Sequence, residues 1–313
     1  DSLSAVELAG RINEELGVDL AFSALLRDVH LPALVEHVLD LLGQAQNPVT
    51  AADSPVESAL QELPLSENQR SLWFIHRLAP DSTAYNVVFA ARVVGGLDIA
   101  ALQRAVQALV QRQPSLRTSF HVRDGEPFQR VHAHLPAAIE CLDARHWDTR
   151  QIDADLAGEV HRPFDLGRGP LLRVRLLDRG DAEAYLQVIM HHIIVDFWSF
   201  VVMVHDLGAL YRAETGAECH GGVPQLAPLP ATYSDHVRWQ RAELERLGDT
   251  ADAAYWRARL ADELPITELP SDRPRPAVQT YNGASLPRTL DAALTRRLKD
   301  LAKAQGVTLF TLL

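Results

Sequence analysis

The sequence is poor in the features that mark secreted, membrane-spanning and nucleic-acid-binding proteins. Its 313 residues include only 2 cysteines, too few for a disulfide framework. No apolar run reaches the roughly 18 residues that a membrane-spanning helix needs. Acidic residues outnumber basic ones, 41 to 30, so neither nucleic acid nor an anionic membrane is an expected partner. These absences predict a globular protein of a reducing, cytoplasmic compartment.

Several common catalytic motifs are also missing. The sequence has no GxSxG, GxxxxGKS/T, GxGxxG or HExxH pattern. A serine hydrolase, a P-loop nucleotide hydrolase and a zinc protease are therefore not expected. The two cysteines form no CxxC pair, and no metal site is predicted.

Local patterns divide the chain into three parts. Amphipathic helices are predicted for residues 2–16 and 31–42, each followed by glycine. Residues 44–62 are rich in Ala, Pro, Ser and Gln and are predicted to be a linker. In residues 63–313, helices interleave with mostly antiparallel strands, which indicates an α+β layered domain. The apolar run at 308–313 stops without a turn or cap, which predicts an internal segment of a longer protein.

Turn and capping signals place the elements of the third part. Asp98 is a plausible N-cap for a helix that Pro114 ends, and Asp124-Gly125 predicts a hairpin. Two further strands are expected to meet at Gly180-Asp181. The remaining predicted elements are helices at 66–78, 150–162 and 199–214 and a strand at 85–94.

The segment MHHIIVDFWS, residues 190–199, interrupts an apolar run with two imidazoles and a carboxylate. Side chains alternate along a strand, so His191 and His192 are expected to face opposite sides of the sheet. That geometry disfavours a shared metal ion and lets one histidine face a tunnel while the other packs. A neutral imidazole in a tunnel takes or orients a proton near neutral pH. Asp196, at the strand-to-helix turn, is placed to fix the backbone or to pair with an arginine. The alternative is that both histidines are satisfied core residues and Asp196 only caps a helix.

The same segment resembles the HHxxxDG core of the condensation domains of nonribosomal peptide synthetases. Three other segments agree in order: LSENQRSLWFI from Leu65 resembles SxAQxRLW, RQPSLRTSF from Arg112 resembles RHExLRTxF, and YSDHVRWQ from Tyr233 resembles YxDYxxWQ. PFDLGRGPLLR from Pro163 is also similar to the family. The resemblance implies a chloramphenicol acetyltransferase-like α/β sandwich, of which residues 63–313 cover the N-terminal lobe and the beginning of the C-terminal lobe.

The resemblance also implies roles for individual residues. His192 is the expected catalytic base or hydrogen-bonding guide, and His191 is structural. Asp196 is expected to hold the turn through an ion pair, with Arg117 as the candidate partner; a solvated surface position for Arg117 is the alternative. Phe197 stands where the family has Gly, and with Trp198 and Ser199 it is assigned to the substrate channel. A Cβ and a ring at residue 197 predict either a reshaped channel or an altered turn.

The amino-terminal segment, DSLSAVELAGRI, resembles the second half of an acyl or peptidyl carrier domain, which residues 1–43 are assigned to. In that family the serine of the DSL motif carries phosphopantetheine, and it maps onto Ser2. A plain helix cap is the alternative, because Ser4 and Glu7 make a passable capping box. The AVEL sequence is closer to that of polyketide acyl carriers than to that of most peptidyl carriers, which points weakly to a polyketide or fatty acyl donor.

Together these resemblances imply a piece of a peptide synthetase or of a polyketide–peptide hybrid. The expected reaction is attack by a carrier-bound amine on the acyl thioester of an upstream carrier, which gives an amide. Upstream and downstream carrier domains are the expected partners, with adenylation or ketosynthase modules in the same assembly line. Two alternatives stay open: an ester-forming acyltransferase with the same motif, and an inactive module that only docks carriers.

Overall fold

The computed structural model describes residues 60–180, 183–216, 226–247, 251–262 and 286–313, together with Val35 and single positions between 270 and 283. The chain divides into two compact units, 1–58 with 228–231, and 59–227 with 232–313. The predicted helix at 2–16 lies outside the described residues. So do the predicted helix at 31–42, apart from Val35, and the predicted linker, apart from its last residues. The domain boundaries given above therefore stay predictions.

The second unit contains helices and strands in mixed order. The strands are β1 (Gln61–Pro64), β2 (Asn86–Val94), β3 (Thr118–Arg123), β4 (Glu126–Val131), β5 (Ile139–Asp143), β6 (Leu172–Asp178) and β7 (Glu183–His191). The helices are α1 (Glu67–Leu78), α2 (Ile99–Arg112), α3 (Thr149–Val160), α4 (Phe197–Thr215), α5 (Tyr233–Leu247), α6 (Ala251–Arg259), α7 (Ala292–Ala304) and α8 (Leu309–Leu312). A short 3₁₀ turn, Pro114–Arg117, follows α2.

The strands form two sheets. Three strands pair in the order β1-β4-β3, and four pair in the order β2-β7-β6-β5. All these pairings are antiparallel except that of β5 with β6, which is parallel. The α+β class with mostly antiparallel strands is thus confirmed.

The predicted caps and turns explain where several elements begin and end. The Asp98 carboxylate accepts a hydrogen bond from the backbone N–H of Ala101, at 2.9 Å, and so caps α2. The β3–β4 hairpin turns at Asp124 and Gly125, whose φ angles are 53° and 83°. Two successive positive φ angles are the signature of the tight turn that Asp-Gly predicts.

The four-stranded sheet lies between two layers of helices. Residues of α2 and α4, including Val106, Leu109 and Met203, share one core cluster with Val174 and Met190 of the sheet. A smaller cluster joins Ile152 and Leu156 of α3 to Leu177 of β6 and Tyr185 of β7. Because neighbouring residues of a strand point to opposite faces, Val174 and Leu177 belong to different layers. Both faces of the sheet therefore contribute to the core, and β7 is one of its two inner strands.

Candidate active site

The paired histidines lie at the end of the central strand β7. His191 is the last residue of the strand and is 3% exposed. His192 is the first residue of the turn that follows, and it is exposed. The structure thus separates the two side chains as the alternation of a strand predicts: one is in the core and the other is accessible.

Backbone hydrogen bonds hold the turn that carries His192. Its own N–H donates to the carbonyl oxygen of Tyr85, at 2.8 Å, and the N–H of Ile194 donates to the carbonyl of His191, at 3.1 Å. The amide of Gln69, a buried residue of α1, donates to the carbonyl oxygen of Ile193 at 3.4 Å. The turn is therefore attached to β2 and to α1 as well as to its own strand.

The His191 imidazole completes this turn. Its Nδ1 accepts a hydrogen bond from the N–H of Ile193 at 3.1 Å. Burial, reinforced by the nearby His76 and His192, lowers the pKa of His191 to about 4. His191 is therefore neutral at physiological pH and acts as a brace for the backbone beside His192.

Asp196 caps helix α4. Its carboxylate accepts from the N–H of Ser199, at 2.7 Å, and from the Ser199 hydroxyl, at 2.6 Å. Ser199 occupies the third helical position, so the two residues form a capping box. The Ser199 hydroxyl, assigned above to the substrate channel, is thus engaged in the cap. Within the described part of the chain, capping accounts for both side chains.

The predicted ion pair between Asp196 and Arg117 is wrong in this structure. Arg117 is 3% exposed, and its guanidinium donates to the backbone carbonyl of His132. Its Nε, also buried, has no hydrogen-bond partner among the described residues. Desolvation lowers the pKa of this arginine. Arg117 therefore joins the 3₁₀ turn to the end of β4, and the alternative of a solvated surface arginine is wrong as well.

Phe197 begins α4 without backbone strain. It belongs to the helix, and the non-glycine residues with positive φ in the described part of the chain are Asp124 and Tyr281. The glycine of the family motif is thus not required here for its backbone freedom. Phe197 is 63% exposed and Trp198 is 41% exposed. Both residues are accessible and follow the turn of His192 in sequence, and the substrate channel assigned to them stays a prediction.

Sequence reasoning missed three ring-bearing neighbours of His191. The rings of His76, Phe164 and Tyr85 have centroids 6.0, 6.3 and 6.5 Å from that of His191. They come from α1, from the loop before β6 and from the residue before β2. It also missed Gln69, although this residue occupies the Gln of the SxAQxRLW pattern.

A cavity of about 990 Å³ lies elsewhere in the second unit. It is bordered by β1, the β3–β4 hairpin and α5, and its lining residues include Leu65, Phe128, Val237 and Leu244. His192 is not among them. The tunnel expected beside His192 therefore stays a prediction, and the structure shows only that the side chain is accessible.

The sequence also led to expectations about phosphopantetheine, metal ions and membrane-spanning helices. Ser2, the expected attachment point of phosphopantetheine, lies outside them. Among the described residues, no group of three or more His, Cys, Asp or Glu side chains is arranged to hold a metal ion. None of the described helices is long and apolar enough to cross a membrane.

Known proteins similar to this chain are peptide synthetases. One of the linear gramicidin synthase proteins of Brevibacillus parabrevis is 39% identical over 313 residues, which are 99% of this chain and 6% of that protein. Phosphinothricin tripeptide synthetase PhsB from Streptomyces viridochromogenes is 37% identical, over 100% of this chain and 26% of its own length. A surfactin synthase protein from Bacillus subtilis is 32% identical, over 100% and 8%. The chain thus spans a small part of each relative.

Solved structures agree in fold. A holo four-domain nonribosomal peptide synthetase bound to AMP and glycine matches with a TM-score of 0.66 and 25% identity, over 83% of this chain and 19% of that one. The X-domain from teicoplanin biosynthesis matches with a TM-score of 0.66 and 28% identity, over 82% and 56%. The starter condensation domain of rhizomide synthetase, 21% identical with a TM-score of 0.55 over 65% and 49%, supports the fold alone. The chloramphenicol acetyltransferase-like fold inferred from the motifs is thereby confirmed.

Two protein families account for most of the sequence. Residues 1–38 match the phosphopantetheine attachment site family, as the DSL motif predicts. Residues 59–313 match the condensation domain family. Because this second match covers most of the chain, the chain belongs to the condensation domain family of nonribosomal peptide synthetases.

Proposed function

We propose that the domain transfers an acyl or peptidyl group from the thioester of an upstream carrier to an amine held on a downstream carrier, forming an amide. The amine nitrogen attacks the thioester carbonyl, the C–S bond breaks, and the donor thiol leaves with a proton. The observation that carries this proposal is the position of His192. It is an exposed imidazole whose own backbone is hydrogen-bonded to Tyr85 at the end of a buried strand.

His192 is proposed as the catalytic residue. Its imidazole accepts the proton of the attacking amine or orients the amine toward the carbonyl. Orientation alone supports a large acceleration when both reactants are tethered, and a positioned acid–base group adds about 10²–10⁴ in rate. The turn bonded to Gln69 and braced by His191 supports such positioning, because it fixes the backbone from which the imidazole projects.

Phe197 and Trp198 are proposed to line the channel that a substrate enters. Both rings are exposed and precede an apolar stretch of α4, in which Val202 and Val204 are also exposed, by 46% and 49%. Such a surface suits an apolar acyl or aminoacyl group rather than a charged one. Replacing the family's glycine with phenylalanine narrows the space near His192 and favours a smaller or differently shaped substrate.

Phosphopantetheine on Ser2 is proposed to supply the thioester that presents the acyl chain. The DSL motif and the family match over residues 1–38 support this assignment. The relatives named above are peptide synthetases, so an adenylation-based assembly line is the proposed context. The polyketide interpretation of the donor rests on the AVEL wording alone and stays a prediction.

The test is product formation by a synthetase module that contains this domain, supplied with an acyl carrier thioester and an aminoacyl carrier. His192→Ala is expected to lower the rate by about 10²–10⁴ while carrier binding is unchanged. His205→Ala, at a side chain that is 74% exposed, is the matched control and should retain the wild-type rate. Normal product formation by His192→Ala would refute the proposal. A hydroxyacyl acceptor in place of the aminoacyl one separates amide from ester formation.

A module that docks partners without transfer is the second candidate. Two observations favour it: Phe197 replaces a motif glycine, and one similar solved structure is a complex of the teicoplanin X-domain with OxyB, with a TM-score of 0.67 and 29% identity. It predicts that wild type and His192→Ala bind carriers equally and that neither forms product. Recovery of product by Phe197→Gly would assign the lost activity to the ring at this position.

A further inference from the structure

The hydrogen bonding of His191 fixes which of its nitrogens carries the proton. Its Nδ1 accepts from the N–H of Ile193, so in the neutral ring the proton is on Nε2. A protonated ring would carry hydrogens on both nitrogens, and Nδ1 would then have no lone pair with which to accept. Protonation of His191 therefore breaks the hydrogen bond that shapes the turn of His192.

Three rings surround His191, and they differ in their capacity for charge. Phe164 meets His191 edge to face, at an interplanar angle of 88°, and the Tyr85 ring is tilted by 38°. His76 also meets His191 edge to face, with 6.0 Å between ring centroids and an interplanar angle of 86°. Of these three side chains, only that of His76 has a ring that can take up a proton on acidification.

The charged groups near His76 differ from those near His191. His76, on α1, is half-buried, and burial lowers its pKa; the carboxylates of Asp165 and Asp81 oppose this effect, and Arg77 adds to it. The groups that act on His191 are His76 and His192, and both lower its pKa. The Arg173 guanidinium, 3.9 Å from the centroid of Phe164, is paired with Glu159 at 3.4 Å, so beyond Phe164 the arginine charge is compensated.

We propose that His76 is a positioning residue of the condensation site: it takes up a proton ahead of His191, keeps the His191 imidazole neutral, and so preserves the hydrogen bond that shapes the turn of His192. His76 does not touch substrate in this account. It acts through the charge that it places beside His191 when the pH falls. The consequence for turnover rests on the proposed function, whereas the effect on His191 does not.

The direct test is a titration of the imidazole nitrogens of the protein by long-range ¹H–¹⁵N NMR. In the wild type, the His191 signals are expected to report the Nε2–H tautomer and to titrate with a midpoint of about 4. At 6.0 Å, loss of the His76 charge is expected to raise this midpoint by about 0.5 to 2 pH units in His76→Gln. His76→Lys retains a positive charge and is expected to leave the midpoint at or below the wild-type value.

The variants separate charge from packing. His205→Gln, a substitution at an exposed histidine, is the control and should leave the His191 midpoint unchanged. An unchanged midpoint in His76→Gln, shifts of the same sign in His76→Gln and His76→Lys, or an Nδ1–H tautomer in the wild type would each overturn the proposal. His76→Asn replaces His76→Gln if the latter loses its dispersed amide spectrum. Unfolding of both neutral variants would assign His76 to packing and would equally overturn the proposal.

A second readout links the titration to turnover. In a module that forms product, the acidic limb of the pH–rate profile is expected to move to higher pH in His76→Gln and to keep its position in His76→Lys. If no variant forms product at any pH, the proposed function fails while the NMR result still decides the role of His76. An acidic limb that stays in place, despite a shifted His191 midpoint, would show that the turn does not position His192.

Discussion

Acidification should lower the free energy of unfolding through protonation of His191, and the burial of this side chain determines by how much. The ordinary histidine pKa of 6.5 applies to the unfolded chain, and the folded value is about 4. Between these values the unfolded state binds a proton that the folded state does not, so the free energy of unfolding falls as pH falls. A difference of about 2.5 pH units corresponds to about 3 kcal/mol. The contribution is complete above pH 6.5 and is lost as the pH approaches 4.

Urea unfolding of the wild type and of His191→Gln over this pH range checks the magnitude. Glutamine is chosen because its side-chain oxygen can also accept the N–H of Ile193. His191→Gln is expected to be less stable near neutral pH, and the gap between the two proteins should narrow by about 3 kcal/mol on acidification to about pH 4. Buried groups that are not coupled to His191 titrate equally in both proteins and cancel. Parallel stability curves for the two proteins would refute the reasoning.

Two further predictions concern side chains that hold α4 in place. Asp196→Ala removes the cap of α4 and is expected to lower the free energy of unfolding by about 1 kcal/mol, with Asp196→Asn close to wild type; equal losses in both variants would contradict the capping role. Arg112→Leu removes the arginine that pairs with the buried Asp206 carboxylate at 3.0 Å and leaves it the Gln113 amide, at 3.0 Å, and His205, at 3.5 Å. The loss in urea unfolding is expected to be up to about 3 kcal/mol. The double variant Arg112→Leu/Asp206→Leu should recover much of that loss. If the double variant is no more stable than Arg112→Leu alone, the buried Asp206 charge is not the cause of the loss.

Local chemistry made much of the fold predictable. The Asp98 cap, the Asp124-Gly125 turn and the strand pair joined at Gly180 depend on residues close in sequence, and the structure confirms all three. The short strand β1 begins at Gln61, within the predicted linker. Its four residues carry no strand signal of their own, and it is a strand because it pairs with β4. The parallel strand β5 was missed for the same reason. Helix α4 begins two residues before Ser199 because the cap is Asp196.

The site was predictable as a motif but not as a set of contacts. Alternation along β7 indicated that His191 and His192 differ in exposure, and the structure shows that difference. The partner of Asp196 could not be found this way, because the sequence does not show how far apart in space an acidic and a basic side chain lie. Arg117 instead donates a hydrogen bond to the backbone carbonyl of His132, at the end of the β3–β4 hairpin. His76, Tyr85 and Phe164 meet around His191 only because three separate elements converge there.

The hydrogen bond from the His192 amide to Tyr85 extends the ladder between β2 and β7 one residue beyond the last paired position. The backbone of the second histidine is therefore held by the sheet, and the freedom left to its ring is rotation about χ1 and χ2. Any conformational entropy that this residue loses on meeting a reactant is then side-chain entropy, because its backbone is already ordered. A ligand that needs this imidazole in another position must therefore be met by a change of rotamer rather than by a shift of the strand that bears it.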